Sequence, residues 1–156
     1  MLAAVQAGRK TVTRRRLPLG LPIQQEPSRY QYCGMVKEGA LFEDPQAQMI
    51  PPVPCPFGQP GDILQVQEDP ALRLQVVSLR AEQVRCLTEA DALAEGIRSL
   101  EQGGQIQWGG VETDAVGELQ WFNTPIAAFQ NLLESIYPTA WSRNEWMWVV
   151  EFSRLI

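Results

Sequence analysis

The sequence contains no histidine, and its three cysteines, Cys33, Cys55 and Cys86, form no closely spaced pair. Structural zinc sites use clustered cysteine and histidine ligands, so we expect no metal site and no other cofactor. Histidine is also the usual base that activates a serine, threonine or cysteine nucleophile, and its absence excludes the commonest hydrolase triads. Any acid–base chemistry must therefore use lysine, glutamate, aspartate or tyrosine.

Long apolar runs are also missing. No stretch approaches the roughly 18 residues that a membrane-spanning helix needs, so we expect no membrane association. Residues 1–7 are too short for the apolar region of a signal peptide and run directly into Arg9 and Lys10. An odd number of widely spaced thiols fits a reducing compartment. These features predict a soluble, cytoplasmic protein, and 156 residues are enough for a single domain over 1–156.

The chain has 13 basic and 18 acidic residues, with a net charge of −5. This balance argues against a protein that coats nucleic acid nonspecifically, because such binding depends on many contacts between basic residues and phosphates. The basic residues are unevenly distributed, since residues 9–16 hold five of them and no acidic residue. The pattern favours a local anion site and not a broad basic face.

Residues 1–7 have the pattern of a short helix that ends at Gly8. The stretch 17–61 is rich in proline and glycine and has weak periodicity. We interpret it as a largely irregular insertion, partly held down by Tyr30, Tyr32 and Phe42.

Alternating apolar residues predict strands over 63–67 and 72–84, joined as an antiparallel hairpin. The segment 145–152 is apolar on both faces apart from its glutamates, which is typical of a central strand. Its Trp146 and Trp148 could stack on a base, but burial in the core is the favoured interpretation. Residues 99–120 contain two glycine pairs and fit either a hairpin or a loose loop.

Two further helices are indicated by their caps. Thr88 is an N-cap residue for a helix over Thr88–Glu95, closed by Gly96. Asn123-Thr124-Pro125 caps another helix, whose apolar stripe ends at Pro138. Glu95 lies in the last turn of its helix, where the helix dipole disfavours a carboxylate by about 0.3–1 kcal/mol. That cost is more readily explained by a role than by stability, although an exposed helical glutamate is an equally acceptable interpretation.

The segment from Gly8 to Arg15 carries the most chemical information. An extended strand after Gly8 would place Thr11 and Thr13 on one side and Lys10 and Arg14 on the other. From chemistry alone, the favoured interpretation is a solvated strand edge whose charges deter pairing, and a binding site is the alternative.

The spacing Gly8-x-Lys10-x-x-x-Arg14 resembles the signature of the ASCH family. Four further segments are similar, in the same order, to the phage and prophage branch of that family: Cys55–Asp62, Leu87–Ile97, Phe129–Ile136 and Trp146–Phe152. The resemblance implies an α+β fold, a small PUA-like mixed β-barrel with two or three flanking helices. The long Pro/Gly-rich insertion would be an addition to that barrel.

The resemblance implies one of two functions. In the first, the domain binds nucleic acid, a nucleotide or a modified nucleoside and is related to RNA. Arg9, Thr11, Arg14 and Arg15 would then contact the nucleotide or its phosphate. The insertion and the phage-like segments favour this function.

The second function is that of an amidohydrolase, acting on a non-peptide C–N bond. Some small ASCH proteins remove the acetyl group of N(4)-acetylcytidine with a lysine, a threonine and a glutamate, which fall here on Lys10, Thr13 and Glu95. Lys10 would take the proton from Thr13 Oγ1, Thr13 would attack the acyl carbon, and Glu95 would orient Lys10 or protonate the leaving amine.

The chain departs from the family in two ways. ASCH domains normally have a strand before the first helix, and this chain begins at the helix. We therefore expect an open barrel edge, which predicts either a homodimer that pairs through it or reduced stability. The second departure is the insertion over 17–54, which would cover or reshape the cleft.

Overall fold

The computed structural model describes residues 2–46, 50–109 and 120–155. The described strands are β1 (Val12–Arg16), β2 (Gln31–Val36), β3 (Gly39–Glu43), β4 (Ile63–Val66), β5 (Asp69–Gln83), β6 (Arg98–Gln102), β7 (Gln105–Gly109), β8 (Trp121–Phe122) and β9 (Trp146–Arg154). The described helices are α1 (Leu2–Gln6), α2 (Pro22–Gln25), α3 (Glu89–Ala94), α4 (Pro125–Ile136) and α5 (Ala140–Arg143), and short 3-10 helices cover Pro27–Arg29 and Val84–Cys86.

The strands form three sheets, of which the largest is a curled half-barrel in the order β1-β9-β5-β4. The other two sheets are the hairpin β2-β3 and the ribbon β6-β7-β8. The predicted α+β class is confirmed. Every strand pairing in the described ranges is antiparallel, whereas a mixed barrel was expected, and the helices are more numerous and shorter than expected.

Strand β9 occupies the centre of the half-barrel, as predicted from its two apolar faces. Residues 146–150 are all buried. Trp148 and Val150 contribute to the core on one face of the sheet, and Met147 contributes to the core on the other. The aromatic residues of this strand are therefore core residues.

The half-barrel is covered on both faces. Hairpin β2-β3 and helix α2 pack on one face, where Phe42 meets Trp146 edge-on with ring centroids 4.9 Å apart. Helices α3, α4 and α5 pack on the other face, around Met147. Helix α1 covers one end of the sheet, through Val5, Leu72 and Phe152.

The prediction that 17–61 is largely irregular is wrong for its middle part. Gln24, on α2, donates from Nε2 to the carbonyl oxygens of Leu17 and Trp146 and accepts from Trp146 N, so it fixes α2 to β9. Gly39 has a φ of 140°, and a Cβ there would lie 2.0 Å from Val53 O. Proline and glycine thus mark tight packing here, and the periodicity is weak because the strands are short.

The other predicted elements are present with small shifts of their ends. Thr88 and Asp91 form a capping box at the start of α3, and Thr124 caps α4 through a hydrogen bond from Ala127 N. Residues 98–109 form a hairpin that turns at Gly103-Gly104. Of the segment over 99–120, residues 110–119 lie outside the described residues.

No helix in the described ranges is both long and apolar enough to cross a membrane. The half-barrel has β1 at one edge and β4 at the other. The homodimer through an open edge stays a prediction.

Candidate functional site

The chain between α1 and β1 is held tightly against α3 and β9. The amides of Arg9 and Lys10 both donate to Ala4 O at the end of α1. Thr11 N donates to Ala94 O, and Thr11 O accepts from Phe152 N. These bonds place the side chain of Lys10 beside the C-terminus of α3.

Glu95 follows α3 as its C-cap residue. The next residue, Gly96, has a φ of 104°, in the region that favours glycine. A Cβ on Gly96 would lie 3.0 Å from Ala4 Cβ and 3.5 Å from Lys10 Cβ. The absence of a side chain at residue 96 therefore lets α1 and Lys10 approach Glu95.

Lys10 and Glu95 form a buried ion pair. Lys10 Nζ lies 2.6 Å from Glu95 Oε2 and donates a second, longer hydrogen bond of 3.4 Å to the carbonyl oxygen of the same residue. The side chains are only 4% and 2% exposed. Charged groups are seldom removed from water so completely unless they are paired.

Arg14 extends this pair into a larger cluster. Its guanidinium lies 3.3 Å from Glu95 Oε1, 3.5 Å from Glu82 Oε1 and 3.6 Å from Asp91 Oδ2. Its Nε is buried and has no hydrogen-bond partner in the described part of the chain. Arg14 thus connects β1, its own strand, to carboxylates on β5 and at α3.

Arg80 and Glu151 form the half-exposed side of the cluster. Arg80 contacts Glu82 at 3.2 Å and Glu151 at 3.1 Å. The hydrogen bond from Ser78, followed by the nearby Arg80, holds the pKa of Glu151 below its usual range. Burial by itself raises the pKa of Asp91. That pKa is nevertheless lowered, because Asp91 accepts hydrogen bonds from Thr88 and lies near Arg14. Both carboxylates are therefore ionised at neutral pH.

We call these seven groups the Lys10–Glu95 cluster: Lys10, Arg14, Arg80, Glu82, Asp91, Glu95 and Glu151. The cluster contains three cations and four carboxylates. The formal charge of the cluster is therefore −1. This charge favours ligand groups that donate hydrogen bonds over phosphate groups.

A small cavity of about 20 Å³ adjoins the cluster. Thr13, Arg14, Arg15 and Glu95 line one side, and apolar residues of α4 with Tyr137 line the other. The volume suits about one water molecule, whereas pockets for small organic ligands measure about 300–1,000 Å³. The solvent-facing side of the cluster lies instead at Arg80 and Glu151, whose side chains are partly exposed.

The structure brings together two of the three predicted catalytic residues. Lys10 and Glu95 are in direct contact, and Thr13 lines the adjoining cavity. Because side chains alternate along β1, the hydroxyl of Thr13 lies on the face opposite Arg14. Within the described ranges, no hydrogen bond joins Thr13 Oγ1 to Lys10 or Glu95.

The residues predicted to contact phosphate are not gathered at one place. Arg14 is buried against three carboxylates, which leaves its charge neutralised. Arg9, Thr11 and Arg15 are exposed, and Arg15 points away from Arg14 by strand alternation. Neither Arg9 nor Arg15 has a carboxylate within 4.0 Å among the described residues.

Sequence reasoning missed Arg80, Glu82, Asp91 and Glu151. One signal was available, because Ser78, Arg80 and Glu82 alternate along β5 and therefore share one face of the sheet. A polar row on a strand that is otherwise apolar indicates either solvent or a buried network. The second possibility is the one realised beside Arg14.

No group of three or more potential metal ligands is found in the part of the chain that the structure describes. No protein-family model matches the chain, and no curated protein and no solved structure matches it.

Proposed function

We propose that this chain is an ASCH-type, PUA-like domain that binds a nucleoside or nucleotide, in an RNA-related role, at the Lys10–Glu95 cluster. The observation that carries the proposal is the buried ion pair between Lys10 and Glu95, which are 85 residues apart. The carboxylate of Glu95 also contacts Arg14. Lys10 and Arg14 belong to the signature that resembles the ASCH family, and Glu95 belongs to a second similar segment.

The energetics of buried charges support a binding role. Replacing a buried ion pair with well-packed apolar residues is often neutral or stabilising by about 1–4 kcal/mol. Stability alone therefore does not account for the three buried charges of Lys10, Arg14 and Glu95 in a small domain. A polar ligand does account for them, because preorganised donors and acceptors recognise its edge.

The half-exposed side offers both kinds of hydrogen-bonding group. Arg80 is a donor for a carbonyl oxygen of a base, and Glu82 and Glu151 are acceptors for its amino group. Because the cluster has an excess of carboxylates, it suits the base and the sugar better than the phosphate. The base of the ligand is accordingly the part that we place at this site.

We expect Arg80→Gln to weaken nucleoside binding by about ten- to a hundredfold, because a hydrogen bond to a charged group contributes about 1.5–3 kcal/mol. Titrations of cytidine and acetylcytidine, followed by calorimetry or amide chemical shifts, measure the effect. Arg73→Gln is the matched control, since Arg73 is an exposed arginine on the same strand. The proposal fails if neither nucleoside binds the unsubstituted protein, or if both variants weaken binding equally.

A second candidate function is amide hydrolysis, favoured by the 2.6 Å contact between Lys10 Nζ and Glu95 Oε2. Proton transfer to Glu95 across this contact would give a neutral Lys10 amine, and the mechanism then requires Thr13 Oγ1, which lies on the other face of β1, to come within reach of that amine. The oxygen would bond to the acetyl carbon, the C–N bond would break, and the leaving amine would take the proton. Water would then hydrolyse the acetyl ester to acetate and restore Thr13.

In this second function, Thr13→Val is expected to lower the rate of acetylcytidine deacetylation by about a hundredfold or more. The substitution removes the hydroxyl, keeps the shape and leaves the ion pair in place. Thr11→Val is the control, because Thr11 is an exposed threonine two residues away. Chromatography of cytidine formed with time measures the rate. No turnover by the unsubstituted protein, or equal rates for Thr13→Val and Thr11→Val, would exclude this function.

A further inference from the structure

Three arginines lie at helix α5, two from distant parts of the chain and one on the helix itself. Arg16, from β1, lies with its guanidinium 4.7 Å from the centre of the Tyr137 ring and donates to Thr139 Oγ1. Arg85 donates from Nε to Trp141 O at 2.8 Å and from Nη2 to Ser142 O at 2.6 Å. Arg143 is the last residue of α5. We call this group the α5 basic surface.

A single carboxylate partly neutralises the α5 basic surface. Glu145 contacts Arg16 Nε at 2.9 Å and Arg143 Nη1 at 2.6 Å. Among the described residues, no carboxylate lies within 4.0 Å of Arg85. Three guanidinium groups and one carboxylate leave a formal charge of +2, in a chain whose net charge is −5. The surface is therefore a local positive region on an acidic protein.

The guanidinium groups are accessible to a ligand in different degrees. Arg85 and Arg143 are exposed, whereas Arg16 is half-buried. Arg16 lies over the half-buried ring of Tyr137, and Arg85 donates to the main-chain oxygen of Trp141. Arginines interleaved with aromatic rings are the groups that bind the phosphates and unstacked bases of single strands.

The α5 basic surface adjoins the Lys10–Glu95 cluster. The guanidinium of Arg16 lies over the ring of Tyr137. Tyr137 also lines the small cavity, together with Glu95. On β1, Arg14 belongs to the cluster and Arg16 to the surface, and both side chains point to the same face of the sheet. The α5 basic surface thus borders the buried side of the cluster, at Arg16 and Tyr137.

We propose that the α5 basic surface binds backbone phosphates of a short single-stranded RNA. A further part of the proposal, that the same strand places one nucleoside at the Lys10–Glu95 cluster, rests on the proposed function. The cluster itself disfavours phosphate because of its carboxylate excess, so the neighbouring phosphates need cations elsewhere. Duplex RNA is a poorer fit, because it buries its bases and needs a broad basic face.

The experiment is a titration of labelled single-stranded oligouridylate, followed by fluorescence anisotropy over a series of salt concentrations. Arg85→Gln is expected to weaken binding by about three- to tenfold at low salt. It should also reduce the slope of log Kd against log salt by about 0.7, the value for one phosphate contact on a single strand. Arg98→Gln is the matched control, because Arg98 is an exposed arginine on β6.

The outcomes separate this proposal from the proposed function. Three results would each overturn the proposal that the α5 basic surface binds single-stranded RNA. They are equal binding by the Arg85→Gln and Arg98→Gln proteins, tighter binding of duplex RNA, and no binding of RNA at low salt. If RNA binding depends on Arg85 but free nucleosides do not bind, the proposal for the α5 basic surface is supported and the proposed nucleoside site at the Lys10–Glu95 cluster is contradicted. Arg143→Gln tests the same surface independently, with its thermal unfolding measured because Arg143 also contacts Glu145.

Discussion

Glu95→Ala is expected to lower the free energy of unfolding by about 3–5 kcal/mol, the usual cost of removing one partner of a buried ion pair. Glu95 is 2% exposed and holds both Lys10 and Arg14, so its loss leaves an ammonium group in the interior with no carboxylate beside it. Arg14 is affected less, because it keeps Glu82 and Asp91. Unfolding by urea or guanidinium chloride, at constant pH, measures the change.

A double variant distinguishes lost charge compensation from lost packing. Lys10→Met with Glu95→Gln removes the ammonium group and the carboxylate together and keeps the volumes similar. We expect it to be more stable than Glu95→Ala by about 2 kcal/mol or more, because no charge is left buried without a partner. Equal stabilities of the two proteins would contradict the account of Lys10 as a buried cation that depends on Glu95.

Glu145→Ala is the second substitution with a large expected effect, again about 3–5 kcal/mol of unfolding free energy. Glu145 is fully buried and accepts a hydrogen bond from Thr139 Oγ1 at 3.2 Å as well as one from Arg143. Arg16 Nε lies 2.9 Å from its other oxygen, at ion-pair distance but without hydrogen-bond geometry. Removing the carboxylate leaves Arg16 and Arg143 without the charge that both contact.

The control for this prediction is Glu134→Ala, at an exposed position of α4 where the carboxylate accepts from Gln130. We expect that change to stay within about 0.5 kcal/mol, as for most exposed positions. Thermal melts of the two variants provide the comparison. A loss below about 1 kcal/mol for Glu145→Ala would mean that Arg16 and Arg143 reach solvent without it.

These two carboxylates explain the basic run on β1. Strand alternation turns Arg14 and Arg16 toward the helices, where Glu95 and Glu145 partly or wholly neutralise them, and turns Arg15 the other way. The run predicted from sequence as one local anion site is therefore divided. Arg14 belongs to a buried cluster, and Arg16 borders a surface that includes arginines from elsewhere in the chain.

Local sequence signals were sufficient for helices α1, α3 and α4 and for strands β4, β5 and β9. Thr88 and Thr124 mark the starts of α3 and α4 because a threonine side chain satisfies free amides at a helix end. The two apolar faces of residues 145–152 indicated a central strand for the same kind of local reason. The prediction was wrong in β2 and β3, since their order depends on packing against Trp146.

The sequence by itself determined the caps and the central strand, because capping and alternation act between residues close in the chain. The candidates Lys10 and Glu95 came from the resemblance to the ASCH family. Only the tertiary structure decided which charges meet. Lys10 reaches Glu95 across 85 residues, and Arg85 reaches Ser142 across 57. Such contacts depend on how three sheets and five short helices pack together, and no local pattern of residue types encodes that distance.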